Sequence, residues 1–150
     1  MRLTSKLLQG PDLLGMLNAA LSAEWLAYYQ YQMGSEELPE GEIKAELRQH
    51  ADEELHHAQM LIGRITELGG RPADTLEEWL DLSPCAFDAP TDPTPGRLLE
   101  QNIAGEKCAI KFYTSLMFAC GSDDKTKTMV AGILHQEMEH LSDLEKLSKG

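Results

Sequence analysis

Apolar residues recur every three or four positions along four long stretches of this chain, and each stripe carries a glutamate where a core residue belongs. The stretch from Glu46 to Leu68 shows it best. Leu47, Ala51, Ala58, Leu61, Ile65 and Leu68 keep helical spacing once position 54, a glutamate, completes the series. His57 follows one turn later, about 60° around the helix on the same face. A first helix, running roughly from Pro11-Asp12 to Ser35, turns Leu13, Leu17, Ala20, Glu24, Tyr28 and Tyr31 inward. The third, from Gly96-Arg97 to Ala119, aligns Leu99, Asn102 and Ile103, Glu106, Ile110, Tyr113 and Met117. The fourth aligns Val130, Leu134, Glu137, Leu141 and Leu144.

The segments between these stripes read as turns and one long connection. Glu36 to Gly41 and Gly121-Ser122-Asp123 break the pattern, and Gly69-Gly70-Arg71-Pro72 stops the second helix. Residues 69 to 96 hold five of the seven prolines around one short amphipathic piece, Thr75 to Leu82, centred on Trp79. A connection of that length suits a crossover travelling along a bundle. The expectation is all-α: one domain over residues 1–150, a four-helix bundle with a long crossover carrying a short helix.

The two halves of the chain repeat each other. Glu24 precedes Tyr31 by seven residues, and Glu106 precedes Tyr113 by seven; Glu54-Leu55-His56-His57 matches Glu137-Met138-Glu139-His140. The step from lone to paired glutamate is 30 residues in the first half and 31 in the second. In an antiparallel hairpin, residues equidistant from the turn share one height. The midpoints, Pro39 and the Gly121–Ser122 bond, both fall in predicted turns. Level packing of the hairpins brings four glutamates and two histidines into one core layer. A buried unpaired carboxylate costs several kcal/mol, so roughly four of them require compensation, and two divalent cations supply it. One Glu from each of two helices plus Glu-x-x-His from each of the others is the di-iron or di-manganese carboxylate pattern. Oxygen with some imidazole suits those metals, where four thiolates would suit zinc or an iron–sulfur cluster.

Composition adds limits. A net charge of −12 argues against unaided DNA binding and favours attraction of cations. The N-terminus opens no apolar run of signal-peptide length, and nothing approaches the ~18 apolar residues of a membrane span. A cytoplasmic protein without membrane contact is expected. The three cysteines make no even disulfide framework; inert packing and a redox pair are both open. Cys120 cannot bridge Cys108 within one helix, because twelve residues span ~18 Å.

Several polar residues stay outside the layer in this reading. His56 with Glu53 forms an alternative Glu-x-x-His, but both lie off the apolar series and are expected in solvent. His50, one turn before Glu54, reads as a surface histidine, with transient iron binding as the alternative. His135 is about 160° from Glu137 and is set aside. Tyr31 and Tyr113 stand two turns from the lone glutamates, either as core aromatics or as partners of the metal ligands.

These motifs resemble the ferritin-like superfamily over nearly the whole chain, most closely the bacterioferritin-type site with six ligands from one subunit. The resemblance implies Glu24 and Glu106 as terminal carboxylates, Glu54 and Glu137 as bridging ones, and His57 and His140 as capping imidazoles, holding two irons, with manganese as the alternative. It also favours a redox-relevant position for Tyr31. The first helix has no histidine, unlike the intersubunit site of the Dps group. Leu55 stands where the haem-ligating methionine of bacterioferritin would be, so no haem is expected. The fifth short helix of bacterioferritin is not expected in so short a chain, and the crossover helix is similar to that of Dps-type dodecamers. The combination resembles the Dps-like thioferritins, and by that resemblance Cys85 and Cys108 correspond to a redox cysteine pair.

The expected function is therefore a ferroxidase that oxidises Fe(II) with hydrogen peroxide or dioxygen and stores Fe(III) in a homo-oligomeric, dodecameric cage, protecting against oxidative stress. The rivals are a rubrerythrin-like peroxidase or manganese catalase without storage, and a non-catalytic helical interaction module.

Overall fold

A computed structural model describes residues 12–150, and five α-helices account for most of them. They are α1 (Leu13–Glu36), α2 (Glu42–Glu67), α3 (Leu76–Leu82), α4 (Pro95–Ala119) and α5 (Asp124–Lys149). Pro11, expected at the start of the first helix, lies outside the described residues. Asp12 caps α1 by accepting a hydrogen bond from the Leu14 amide at 3.2 Å. The second helix begins at Glu42, before the apolar series does. Its first turn is helix-compatible and carries an acid at the positive end of the helix dipole, so no apolar contact is needed to start it.

Positive-φ glycines mark the exits of α2 into the crossover and of α4 into the second turn. Leu68 and Gly69 end α2, Gly69 taking a positive φ of 84° that suits glycine; Gly121 does the same with φ 55° before α5. Asp123 caps α5 by accepting from the Thr126 amide at 3.1 Å, and Arg64 of α2 donates to the same carboxylate at 3.1 Å. The second turn is thereby tied to the end of α2, which levels the two hairpins.

The core is split in two. One apolar cluster gathers Leu17, Leu21, Leu61, Ile65, Leu116, Val130 and Ile133; the other gathers Leu38, Leu47, Ala51, Leu98, Leu99 and Leu144. Between them sits the polar layer that the interrupted stripes anticipated. These clusters supply the burial that holds the helices rigid around it.

The crossover is pinned along its length by groups the periodicity did not single out. Asn18 accepts from the Ala73 amide at 2.8 Å and donates to the Arg71 carbonyl at 3.1 Å. Trp79 of α3 stacks on Trp25 with ring centroids 5.2 Å apart and donates from its indole to the Ala73 carbonyl. Gln30 accepts from the Asp88 amide at 3.0 Å while donating to Asn102 at 3.2 Å. This docking joins Cys85 of the crossover to Cys108 of α4 in a disulfide, with Cα atoms 5.9 Å apart. Cys120 is free and buried. Among the described residues, no helix is long and apolar enough to cross a membrane.

Candidate metal centre

All six residues expected in the layer meet there. Glu24, Glu54, His57, Glu106, Glu137 and His140 are each at most 2 % exposed. α1 contributes Glu24, α4 contributes Glu106, and α2 and α5 contribute one Glu-x-x-His pair each.

Their atoms converge on two points. His57 Nδ1 has Glu24 Oε2, Glu54 Oε1 and Glu137 Oε1 at 3.1, 3.2 and 3.3 Å. His140 Nδ1 has Glu106 Oε1, Glu137 Oε1 and Glu54 Oε1 at 3.3, 3.4 and 3.5 Å. A nitrogen surrounded by three carboxylate oxygens offers more contacts than one ring hydrogen can satisfy. Tetrahedral ligands at ~2.1 Å from a metal stand ~3.4 Å apart, which matches both groups. Glu54 and Glu137 belong to both clusters, Glu24 and Glu106 to one each. Glu54 Oε1, Glu106 Oε2 and both Glu137 oxygens are buried without a hydrogen-bond partner. Orphaned carboxylate oxygens in a dry core are what a pair of divalent cations would satisfy.

The charge states express the same demand. Burial, then the Glu137 carboxylate, raises Glu24 to about 7 and Glu106 to about 8. Burial and the Glu137 charge push Glu54 well above the usual carboxylate range. Glu137 is held low: burial opposes this, but the His140 and His57 imidazoles close beside it outweigh it. Burial disfavours the two imidazolium ions, yet bonding to the carboxylates raises His57 far above its ordinary value and His140 to about 12. Protons on these groups are the positive charge the layer can gather from its own side chains.

A surrounding set of partners aims the ligands, and it crosses between the halves of the chain. The Tyr31 hydroxyl on α1 donates to Glu106 Oε1 at 2.7 Å, and that of Tyr113 on α4 donates to Glu24 Oε1 at 2.9 Å. Burial, then the glutamate charges, keeps both phenols protonated and hence donors. His140 Nε2 bonds Glu53 Oε2 at 2.6 Å, and His57 Nε2 bonds Gln136 Oε1. With Nε2 engaged, Nδ1 is the nitrogen left for a metal.

Two expectations are corrected here. Glu53 is not a solvated bystander: α5 packs over its side of α2, leaving the side chain 23 % exposed and bonded to His140. His50 is not on the surface. It is 1 % exposed, its ring stacked on His140 at 4.0 Å between centroids, and burial followed by the His140 charge lowers its pKa to about 3. Gln136 was missed altogether. The signal existed: the repeat extends one residue further, Glu53-Glu54-x-x-His57 against Gln136-Glu137-x-x-His140. His56 is exposed, as expected, and His135, set aside for its direction, is exposed too. Glu53→Ala and Gln136→Ala are each expected to weaken metal binding about 10–100-fold, read by competition against a chromophoric chelator; unchanged affinity in both would dismiss the aiming role.

A narrow pocket lined by Glu24, Glu54, Glu106 and Glu137 leads toward the layer, and Cys85, Ala86 and Phe87 of the crossover line it too. The disulfide therefore borders the approach to the carboxylates.

Residues 14–149 match the model of the ferritin-like domain. The chain belongs to the ferritin-like family. Within that family it is 35% identical over 144 residues to the DNA protection during starvation protein of Pyrococcus furiosus, covering 92% of this chain and 77% of that one. A dodecameric thioferritin, the bacterioferritin-related protein from Bacteroides fragilis, is similar with a TM-score of 0.86 at 40% identity, over 97% of this chain and 92% of that one. Rhodobacter capsulatus bacterioferritin gives a TM-score of 0.73 at 26% identity, over 93% and 86% of the two chains. These likenesses place the ferritin-like chain with the Dps-like mini-ferritins, and its fold is the ferritin-like helical bundle.

Proposed function

We propose that this protein is a ferroxidase and iron-storage mini-ferritin. The observation that carries the reading is the pair of four-ligand clusters sharing Glu54 and Glu137. Two Fe(II) ions are the substrates. Glu24 with His57 and Glu106 with His140 hold one ion each, and the shared glutamates set the distance between them. One hydrogen peroxide accepts one electron from each ion and yields two hydroxides; dioxygen is the alternative oxidant. Tyr31 and Tyr113 hold the terminal carboxylates in place, and the buried walls exclude competing water. Manganese in the same ligands is the alternative loading, separated from iron by metal analysis of the purified protein.

Storage is supported by likeness and by surface. A dodecameric relative at 40% identity argues for a homo-oligomeric cage, whose acidic interior would collect the ferric product. Tyr29 and Met33 of α1 and Leu76 and Leu80 of α3 are 41–57% exposed, apolar surface suited to subunit contacts. The Pyrococcus furiosus relative is named for DNA protection. With a net charge of −12, this chain would protect by consuming iron and peroxide in the cytoplasm rather than by coating DNA. The same reading gives Cys85 and Cys108 a redox role, since closing their disulfide releases two electrons and two protons beside the carboxylate pocket.

Native mass measured together with iron content tests the proposal. A dodecamer that loads far more iron than two ions per subunit under Fe(II) and peroxide is the expected result. A small oligomer that stops at two per subunit would remove storage and favour a peroxidase or catalase.

A further inference from the structure

A second convergence of ligands lies outside the six-residue layer, between α2 and α5. His50 Nε2 stands 3.1 Å from Glu46 Oε1 and 4.0 Å from Asp143 Oδ2, and the three ligand atoms lie within 4.8 Å of one another. The imidazole forms a buried floor. The Glu46 and Asp143 side chains are 26% and 46% exposed and open into a surface groove also lined by Glu42, Gln49 and Lys146.

Hydrogen-bond arithmetic shows what this floor lacks. The Tyr31 hydroxyl has one hydrogen, given to Glu106 Oε1 at 2.7 Å. His50 Nδ1 lies 3.3 Å from the same hydroxyl oxygen, so that nitrogen is the donor and carries the ring hydrogen. In the neutral ring, Nε2 then presents a bare lone pair, and the groups facing it are carboxylate oxygens, which are acceptors too. Lone pair against lone pair at 3.1 Å is repulsive until a positive charge lies between them: a proton on Glu46, which burial and then the Asp143 carboxylate favour, or a metal cation that displaces it. The ring cannot turn away, because the Tyr31 ring meets it edge-on at 5.3 Å and His140 stacks on it at 4.0 Å. Fixing one imidazole nitrogen to aim the other is how proteins prepare a histidine ligand.

The spacing fits a metal. Bonds of ~2.1 Å place neighbouring ligands ~3.0 Å apart in an octahedron and ~3.4 Å apart in a tetrahedron, and the observed 3.1 and 4.0 Å lie at and just beyond that range. One imidazole and two carboxylates suit a first-row divalent cation. Calcium would want more oxygens and copper(I) would want sulfur.

We propose that Glu46, His50 and Asp143 form a third, mononuclear site for a divalent transition-metal ion, stacked through His50 against His140 of the paired clusters. Its binding does not depend on ferroxidase activity. That the ion carried there is Fe(II), held one ring away from its place of oxidation, rests on the proposed function.

The test uses the assembled full-length protein, stripped by chelation, with Zn(II) as probe, in equilibrium dialysis and in crystals read by anomalous diffraction. Wild type should bind three ions per subunit, with one anomalous peak among Glu46, His50 and Asp143. The Glu46→Gln/Asp143→Asn double variant touches none of the six layer residues and should bind two. Should that variant fail to assemble, Asp143→Asn alone is expected to weaken the third site at least tenfold. If only the paired clusters have been misread, wild type binds one ion and the double variant none. A wild-type map without a peak at His50, or a double variant with unchanged stoichiometry, overturns the site.

Discussion

Replacing Glu54 with leucine is expected to separate stability from chemistry: the metal-free protein gains stability as a buried carboxyl crowded by three others gives way to an apolar group, while rapid Fe(II) oxidation disappears. Glu54 is 1% exposed and its Oε1 has no hydrogen-bond partner. Burial, then the Glu137, Glu24 and Glu106 carboxylates beside it, hold its proton on well above the usual range. Leucine of similar volume removes that desolvation cost and fills the same space. Glu54 also belongs to both ligand clusters, so its loss strips an oxygen from each bound ion. Glu54→Ala should likewise abolish oxidation with assembly intact, without the gain in stability, because it leaves a cavity. Thermal unfolding of chelated protein and stopped-flow ferric absorbance after peroxide measure the two effects. Undiminished oxidation in either variant would sink the assignment of this layer as the ferroxidase centre.

The second large effect is on pH. Glu24 and Glu106 are held at about 7 and about 8 in the folded chain against 4.5 in a free side chain, and His140 at about 12 against 6.5. Between pH 6.5 and 8 the native state therefore binds more protons than the unfolded chain. Its stability falls as pH rises, by about 1.4 kcal/mol per pH unit for each extra proton. His50, at about 3, works in the opposite direction but only below pH 6.5, where the unfolded imidazole takes up a proton the folded one refuses. A divalent cation replaces the protons of the layer, so metal should stabilise more strongly as pH rises, and its uptake should acidify a weakly buffered solution. The expected record is a Tm of chelated protein that drops across this window and a Zn(II)-saturated Tm that holds or rises. A chelated Tm that climbs from pH 6.5 to 8 would contradict the charge states of the layer.

What could be read in advance followed helix periodicity. Glu24, Glu54, Glu106 and Glu137 each break the apolar stripe of their own helix, and a single chain displays that without a partner. The turns flanking α1, α2, α4 and α5 carry Gly, Pro and Asp, so the hairpin registers were legible as well. His50, four residues before Glu54 and seven before His57, shares their face, so its burial was legible in the period. Glu53 was misplaced because it lies off the stripe of α2, and what covers it is α5, whose lean no single-helix period encodes. The path of the crossover was equally hidden. It depends on Asn18, Gln30 and Trp25 receiving particular backbone groups and rings, and none of these contacts has a periodic signature. The Cys85–Cys108 bond follows from that path, which is why cysteine count alone left it open.

The partners behind the two histidines are alike in position and unlike in charge. His140 is backed by the Glu53 carboxylate, His57 by the neutral amide of Gln136. An imidazole bonded to an anion is the more electron-rich donor and favours the higher oxidation state of whatever it binds. Two irons in otherwise repeat-related sites would thus differ in reduction potential, with the ion on the His140 side giving up its electron more readily. A centre that looks symmetric in its ligands would fire in a set order, and Glu53→Gln, by making the two backings equivalent, would erase that order in a redox titration.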